Sequence, residues 1–221
     1  MQTDDIELEK IDTFVHLEGK RVLEVGCGDG RLSSFLAQKA GQLIAIDIDE
    51  ARLEKARCTV KNVDFRYGSG ESLAFAENSF DLVFFGFSLH HLDGVATLSE
   101  AQRVLVSMGE ILILEPTERS EYTKLVSVFE KEEPLLLKRA AQNIKSFVKV
   151  VSRREEFVVY HSFDNAESFF QHYILSYGDE TANEKSRHEL GQIIGDKLFD
   201  SPIIVEDECC IILIQGSERI L

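Results

Sequence analysis

The sequence predicts an α/β domain built on a parallel sheet, and three observations carry that prediction. Short apolar runs alternate with longer stretches of helical periodicity through residue 117, the signature of βαβ units. The first run, Val22-Leu23-Glu24-Val25, enters a glycine-dense turn at Gly26, Gly28 and Gly30 and then a helical pattern. The second run, Leu43-Ile44-Ala45-Ile46, ends on the carboxylate of Asp47, about twenty residues after the first.

Taken in order, strands are expected at 21–25, 42–47, 62–67, 80–85 and 109–115, with helices between them at 30–40, 50–60 and 94–106. Asp81-Leu82-Val83-Phe84-Phe85 is apolar without alternation after its first residue, as suits a central strand covered on both faces. Residues 4–17 carry Ile6, Leu8, Ile11, Phe14, Val15 and Leu17 mostly at helical spacing, so an amphipathic N-terminal helix is expected. Proline is tolerated in a helix's first turn but not in its interior. Pro134 therefore divides the helical stretch after 117 into helices at 118–132 and 134–151. A strand at 156–163, helices at 164–175 and 182–198, and a last strand at 208–215 follow. No internal repeat, low-complexity segment or flexible linker breaks the chain.

Glycine lets backbone approach a ligand where a Cβ would clash, and a carboxylate ending the second strand can accept two hydrogen bonds from a ribose diol. The pair points to a nucleoside-containing cofactor. A dinucleotide fingerprint reads G-x-G-x-x-G, with the pyrophosphate at the helix N-terminus. Here the spacing is G-x-G-x-G, Arg31 stands where the third dinucleotide glycine would be, and Asp29 adds negative charge at the helix start. Both departures suit a ligand without phosphates. Ligands of open α/β sheets bind outside the C-terminal strand ends, where the strand order reverses. Residues 25–30, 47–49, 68–71, 85–91 and 115–117 should therefore converge.

Five segments in this order resemble the class I S-adenosylmethionine-dependent methyltransferases, particularly the small-molecule enzymes of ubiquinone and menaquinone biosynthesis. They are Val22–Gly30, Ile44–Asp49, Gly68–Phe75 with Asn78–Val83, Phe87–Leu92, and Met108–Pro116. The close resemblance covers residues 20–117. It implies a Rossmann-like, doubly wound sheet of seven strands in the order 3-2-1-4-5-7-6 with the last strand antiparallel. It also implies a single methyltransferase domain over 1–221, in which residues 1–18 form a helix over the cofactor side and 118–151 a helical substrate cover. The implied cofactor is S-adenosyl-L-methionine, released as S-adenosyl-L-homocysteine.

Carried onto this sequence, the resemblance gives Gly26 and Gly28 to the methionyl portion, Asp47 to the ribose, Ile48 to one face of the adenine, and Ser69 and Gly70 to its edge. Gly86 would leave its carbonyl to the methionine amino group. Glu24, an acid within a strand, needs partners; it either organises the methionine end or bonds nearby amides. Asp49 directly precedes a helix and is the expected N-cap. Ser69 departs from the family, which commonly has an acid there, and should contribute a weaker bond. His90 and His91 titrate near neutrality in their unperturbed form, so they are candidate bases as well as candidate capping residues. Glu115 is an equal acceptor-side candidate. His161 is expected to be structural. Aromatic residues gather late in the chain, and Phe87, Tyr122 and Phe129 with a subset of them offer an apolar acceptor pocket.

The whole-chain properties narrow the partners. A length of 221 residues suits one domain that needs neither disulfide nor metal for stability. Cys27, Cys58, Cys209 and Cys210 lack C-x-x-C spacing, so no metal site is expected and a reducing, cytoplasmic compartment is. The acidic start lacks the positive charge of a signal peptide, and no apolar stretch approaches the ~20 residues of a membrane span. A net charge of −15 argues against bulk nucleic-acid binding. The partner is then a small-molecule methyl acceptor, and a homodimer is compatible with the sequence. The sulfonium methyl is already activated, so alignment supplies much of the rate and a base is needed only for a neutral nucleophile. Two alternatives stand beside methyl transfer: a non-catalytic methyltransferase-like partner subunit and an NAD-dependent dehydrogenase.

Overall fold

The computed structural model describes residues 3–147, 151–178 and 184–216. Its elements are α1 (Thr3–Phe14), β1 (Arg21–Val25), α2 (Arg31–Lys39), β2 (Gln42–Asp47), α3 (Glu50–Thr59), β3 (Asp64–Tyr67), β4 (Phe80–Gly86), α4 (Gly94–Val104) and β5 (Leu105–Pro116). After these come α5 (Glu121–Val126), α6 (Glu133–Phe147), β6 (Arg153–Phe163), α7 (Ala166–Tyr177), α8 (Glu184–Ile194) and β7 (Ile203–Gln215). The seven strands form one sheet in the order β3-β2-β1-β4-β5-β7-β6, with β7 antiparallel, as the resemblance implied. Thr117 N–H donates to the Glu208 carbonyl at 2.7 Å and Gly216 N–H to the Gly109 carbonyl at 2.8 Å, fixing the β5–β7 register.

The chain divides into two compact units. One comprises Leu8–Glu115, Arg139–Glu155 and the segment from Cys210; the other comprises Met1–Glu7, Pro116–Lys138 and Glu156–Cys209. In the first unit β1 lies between β2 and β4, with Glu24 level with Ala45 on one side and Phe84 on the other. Because both sheet faces are covered, β1 and β4 carry apolar side chains on both sides, which explains their unbroken hydrophobic runs. Leu23, Val25, Val83 and Phe85 join Leu98 and Ile111 in its main core. The second unit has a core of its own around Leu125, Phe163, Phe169, Tyr173 and Val205.

Several boundaries differ from those expected, each for a local reason. α5 is one short helix capped by Ser120, and turns occupy most of 127–132. Pro134 is the second residue of α6, where its missing N–H has no partner to lose. β3 begins at Asp64 rather than 62, because Asn62 takes a left-handed φ of 63°. β6 and β7 both start earlier than expected: the early part of β6 is charged and mostly exposed, whereas β7 opens on Ile203-Ile204-Val205 and is interrupted by Glu206, buried Asp207 and Glu208. A 3-10 turn at Leu89–His91 has no periodic signal and was not expected. The expected helix ends at 148–150 and 182–183, and residues 1–2, lie outside the described residues. Within the first unit, α1 is tied through Asp12 to Lys39 at the C-terminal end of α2, opposite the glycine turn. Among the described residues, no helix is long and apolar enough to cross a membrane.

The loop after β3 is clamped from α4. Arg103 donates to the Phe75 and Leu73 carbonyls, each at 2.8 Å, and Glu100 accepts the Leu73 N–H at 2.8 Å. Arg103 in turn holds the Glu100 carboxyl down at about 2. Arg103→Ala is expected to lower stability by about 1–3 kcal/mol, measured by urea unfolding, because two carbonyls lose a charged donor.

Candidate active site

The strand ends of the first unit bring the sequence-derived residues to one edge of the sheet. Gly26, Gly28 and Gly30 all take positive φ, at 75°, 55° and 87°. Each has its own reason to be glycine. A Cβ on residue 26 would meet the Ser88 Cβ at 2.4 Å; one on residue 30 would crowd Val60, Ala56 and Phe65 at 3.1–3.3 Å. Gly28 has only the Arg52 Nη1 near, at 3.5 Å, so backbone conformation alone requires it. Ser88 Oγ donates to the Val25 carbonyl at 2.6 Å, which fixes the segment after β4 against the glycine turn.

Asp47 reaches back onto that turn. Its Oδ2 accepts the Gly28 N–H at 2.7 Å and its Oδ1 the Asp49 N–H at 2.9 Å. Ionised carboxylate oxygens each accept more than one bond, so both keep capacity for a ligand. Asp49 caps α3 as expected, accepting from Ala51 and Arg52. Ile48 is 60% exposed, and Tyr67, level with Asp47 across the β2–β3 ladder, is 67% exposed. These two apolar surfaces flank the acid. Ser69 Oγ accepts the Glu71 N–H at 3.2 Å within its own loop. Gly70 is buried, and a Cβ there would lie 2.7 Å from Val25 Cγ1, so packing accounts for this glycine. A Cβ at Gly86 would lie 2.5 Å from Leu32 Cδ1.

Glu24 is 2% exposed, and Ser33 Oγ donates to its Oε2 at 2.5 Å. Burial pushes the carboxyl up to about 7, against the opposing pull of the Ser33 hydrogen bond and the Arg31 charge. On the other side of the sheet edge, Glu115 spends both oxygens: Oε1 accepts the Leu89 N–H at 2.7 Å, and Oε2 lies 2.5 Å from His90 Nδ1. His90 and Glu115 are both buried, whereas His91 is exposed and its ring packs on that of His90 at 3.9 Å. Ser33, Ser88 and Tyr67 were not expected from the sequence. Only Tyr67 had a signal to find, an aromatic residue ending a strand beside Asp47.

A family described as a methyltransferase domain matches residues 23–113, the stretch from β1 to β5 that carries this geometry. Over that stretch the chain is similar to a methyltransferase domain. Over 150 residues it is 34% identical to a ubiquinone biosynthesis O-methyltransferase of Hahella chejuensis, covering 65% of this chain and 63% of that protein. The match thus spans less than two thirds of the relative's own length. Among solved structures, the YcgJ protein of Bacillus subtilis superposes with a TM-score of 0.72 at 17% identity, covering 97% of this chain and 100% of that one. The [4+2]-cyclase SpnF gives 0.63 at 16%, covering 97% and 82%. At these identities the likeness is one of fold, and a cyclase among the neighbours shows that a methyltransferase-like fold does not by itself fix the reaction.

The first unit should carry the imprint of Glu24 in its stability. The carboxyl binds its proton more tightly folded than unfolded, so stability is greatest below pH 4.5 and falls as pH rises towards about 7. The full effect is about 3 kcal/mol. Urea unfolding of ligand-free protein between pH 5 and 8 is expected to show this decline, and Glu24→Gln to flatten it.

Proposed function

We propose that the chain transfers a methyl group from S-adenosylmethionine to a small or medium organic acceptor. The reading is carried by one observation, the Asp47 carboxylate seated on the N–H groups of Gly28 and Asp49 at the rim of a left-handed glycine turn. That cradle fits an adenosyl group. The glycine backbone admits close approach, Asp47 has acceptor capacity for the two ribose hydroxyls, and Ile48 and Tyr67 offer apolar faces to a base. Glu24 is the acid for a cationic methionine end, since a nearby positive charge favours its ionised form. Relatives named as O-methyltransferases and the matched domain support the same reading.

When bound, S-adenosylmethionine supplies a methyl group on a positively charged sulfur, already activated for displacement. The residues of this chain then bind, orient and manage one proton. The glycine turn and Asp47 fix the nucleoside end, and alignment of the acceptor supplies much of the rate. Glu115 holds both the Leu89 N–H and His90 Nδ1, so it orients the histidine rather than acting as a base itself. A neutral acceptor would pass its proton to His90, with the carboxylate stabilising the resulting imidazolium. We place this chemistry in the cytoplasm, where the free cysteines, three of them buried, would stay reduced.

Asp47→Ala is expected to weaken S-adenosylmethionine binding by about 10–100-fold in calorimetry, the loss of two charge-assisted bonds. Wild-type affinity for NAD in the same assay should be negligible; tight NAD binding would defeat the proposal. Ser69→Asp should preserve or tighten cofactor binding, because it restores a charged acceptor. His90→Asn should lower kcat about 100-fold or more and remove the acidic limb of the pH profile, with KM for the cofactor unchanged.

A further inference from the structure

The start of α4 takes one of its hydrogen bonds from outside the helix. Asp93 is the N-cap and accepts from the Val95 and Ala96 N–H groups at 3.2 and 3.3 Å. The N–H of the N-cap residue itself also needs an acceptor. Where a helix supplies its own, a glutamate or glutamine three residues on reaches back to it. Here that residue is Ala96, whose methyl group can accept nothing. Glu71, on the loop after β3, does so instead: its Oε1 accepts the Asp93 N–H at 2.9 Å. The carboxylate also brings negative charge to the positive end of the helix.

The same stretch of loop lies against the residue before the cap. A Cβ on Gly70 would come 3.1 Å from Leu92 Cδ1 and 3.3 Å from Thr97 Cγ2. Leu92 closes the 3-10 turn at Leu89–His91, its N–H donating to the Leu89 carbonyl at 3.1 Å. Glu115 holds that turn from the end of β5, through the Leu89 N–H and His90 Nδ1. The turn that carries His90 is thus slung between Glu115 on one side and the segment tied to Glu71 on the other. Glu100 and Arg103 brace the loop at residues 73 and 75, near the far end of α4.

We propose that Glu71 is a positioning residue, a cap lent to α4 by the loop after β3, so that the place of His90 follows the state of that loop. The proposal rests on the methyl-transfer reading, in which Ser69 and Gly70 meet the adenine edge, and adds how cofactor occupancy reaches the acceptor side. The reason lies in where the acceptor atom is carried. A helix with its own glutamate at position 96 would be capped whatever the loop did. With the acceptor on the loop, a ligand that fixes residues 69 and 70 also fixes the Asp93 N–H. Leu92 and Asp93 then pass that order directly to the turn. The link requires an acceptor rather than a charge, since an amide oxygen at 71 can take the same bond.

The test is nuclear magnetic resonance on the full chain, with adenosine as the probe because it lacks the methionine end and the methyl group. At saturation, adenosine should shift the His90 ring signals of the wild type. In Glu71→Ala the Asp93 amide should exchange about tenfold faster or more, and the response of His90 to adenosine should fall below about a third. The ligand-free His90 signals should move as well. Glu71→Gln should stay near the wild type in each respect. Adding Ala96→Glu to Glu71→Ala separates positioning from stability: the local cap should restore Asp93 protection but leave His90 unresponsive to adenosine. The proposal is overturned if adenosine binds the wild type without moving His90, or if Glu71→Ala keeps the wild-type exchange or response. It is overturned equally if Glu71→Gln behaves as Glu71→Ala does, or if Ala96→Glu restores the response. A wild type that binds neither adenosine nor S-adenosylmethionine would remove methyl transfer instead. The ligand-free His90 signals then decide the proposal, upholding it if Glu71→Ala moves them and overturning it if they stay in place.

Discussion

A Cβ on residue 26 would come within 2.4 Å of the Ser88 Cβ, and the crevice between β1 and β4 depends on that crowding. The backbone at 26 can bend at φ 75° and let the segment after β4 press against it, and Ser88 seals the approach by donating to the Val25 carbonyl. Because the chain turns there, Gly28 presents its N–H to Asp47 and α2 starts immediately after Gly30. Any larger residue at 26 would push these two strand ends apart and carry the donor at 28 away from the acid. The site is in this sense a property of backbone spacing, and the side chains are hung upon it.

Two carboxylates at neighbouring strand ends show how environment divides similar groups. Asp47 is half-buried and rests on two backbone amides, which stabilise its negative charge. Glu24 lies deeper in the same sheet with a single hydroxyl on one oxygen, and desolvation lifts it to about 7. Asp47 thus accepts from the backbone with both oxygens, whereas burial makes Glu24 hold its proton more tightly. Glu115 shows a third arrangement, with both oxygens engaged in holding the 3-10 turn at Leu89–His91.

Much of this was legible in the sequence where one local rule dominates. Unbroken apolar runs marked β1, β2 and β4 because a central parallel strand has no solvent face. Asp49 before an apolar-poor helix read as an N-cap, and Pro134 as a first-turn residue, since both rules act within a few residues. Glu24, Gly26, Gly28 and Asp47 drew notice through residue type and spacing, and the fold brings Asp47 onto the Gly28 N–H. What was not legible depends on partners distant in the chain. The bond from Ser33 to Glu24, the lock of Ser88 on Val25 and the pairing of Glu115 with His90 join residues whose types are ordinary at those positions. Gly70 illustrates the opposite error of emphasis, a glycine in a ligand-side loop that buried packing against Val25 already explains. The start of β6 escaped notice because charged residues there face solvent, and that of β7 because Glu206, buried Asp207 and Glu208 interrupt its apolar run.

The unit that holds the glycine turn is discontinuous in sequence: its own last strand segment, from Cys210 to Gln215, is separated from β5 by most of the other unit. Until the ribosome has delivered that segment, β5 presents an unpaired edge of twelve residues, several of them strongly apolar. The nascent chain thus cannot complete its central sheet from the N-terminus onward. Newly made copies carry a sticky margin until that late strand emerges, and chaperone demand should concentrate in that interval.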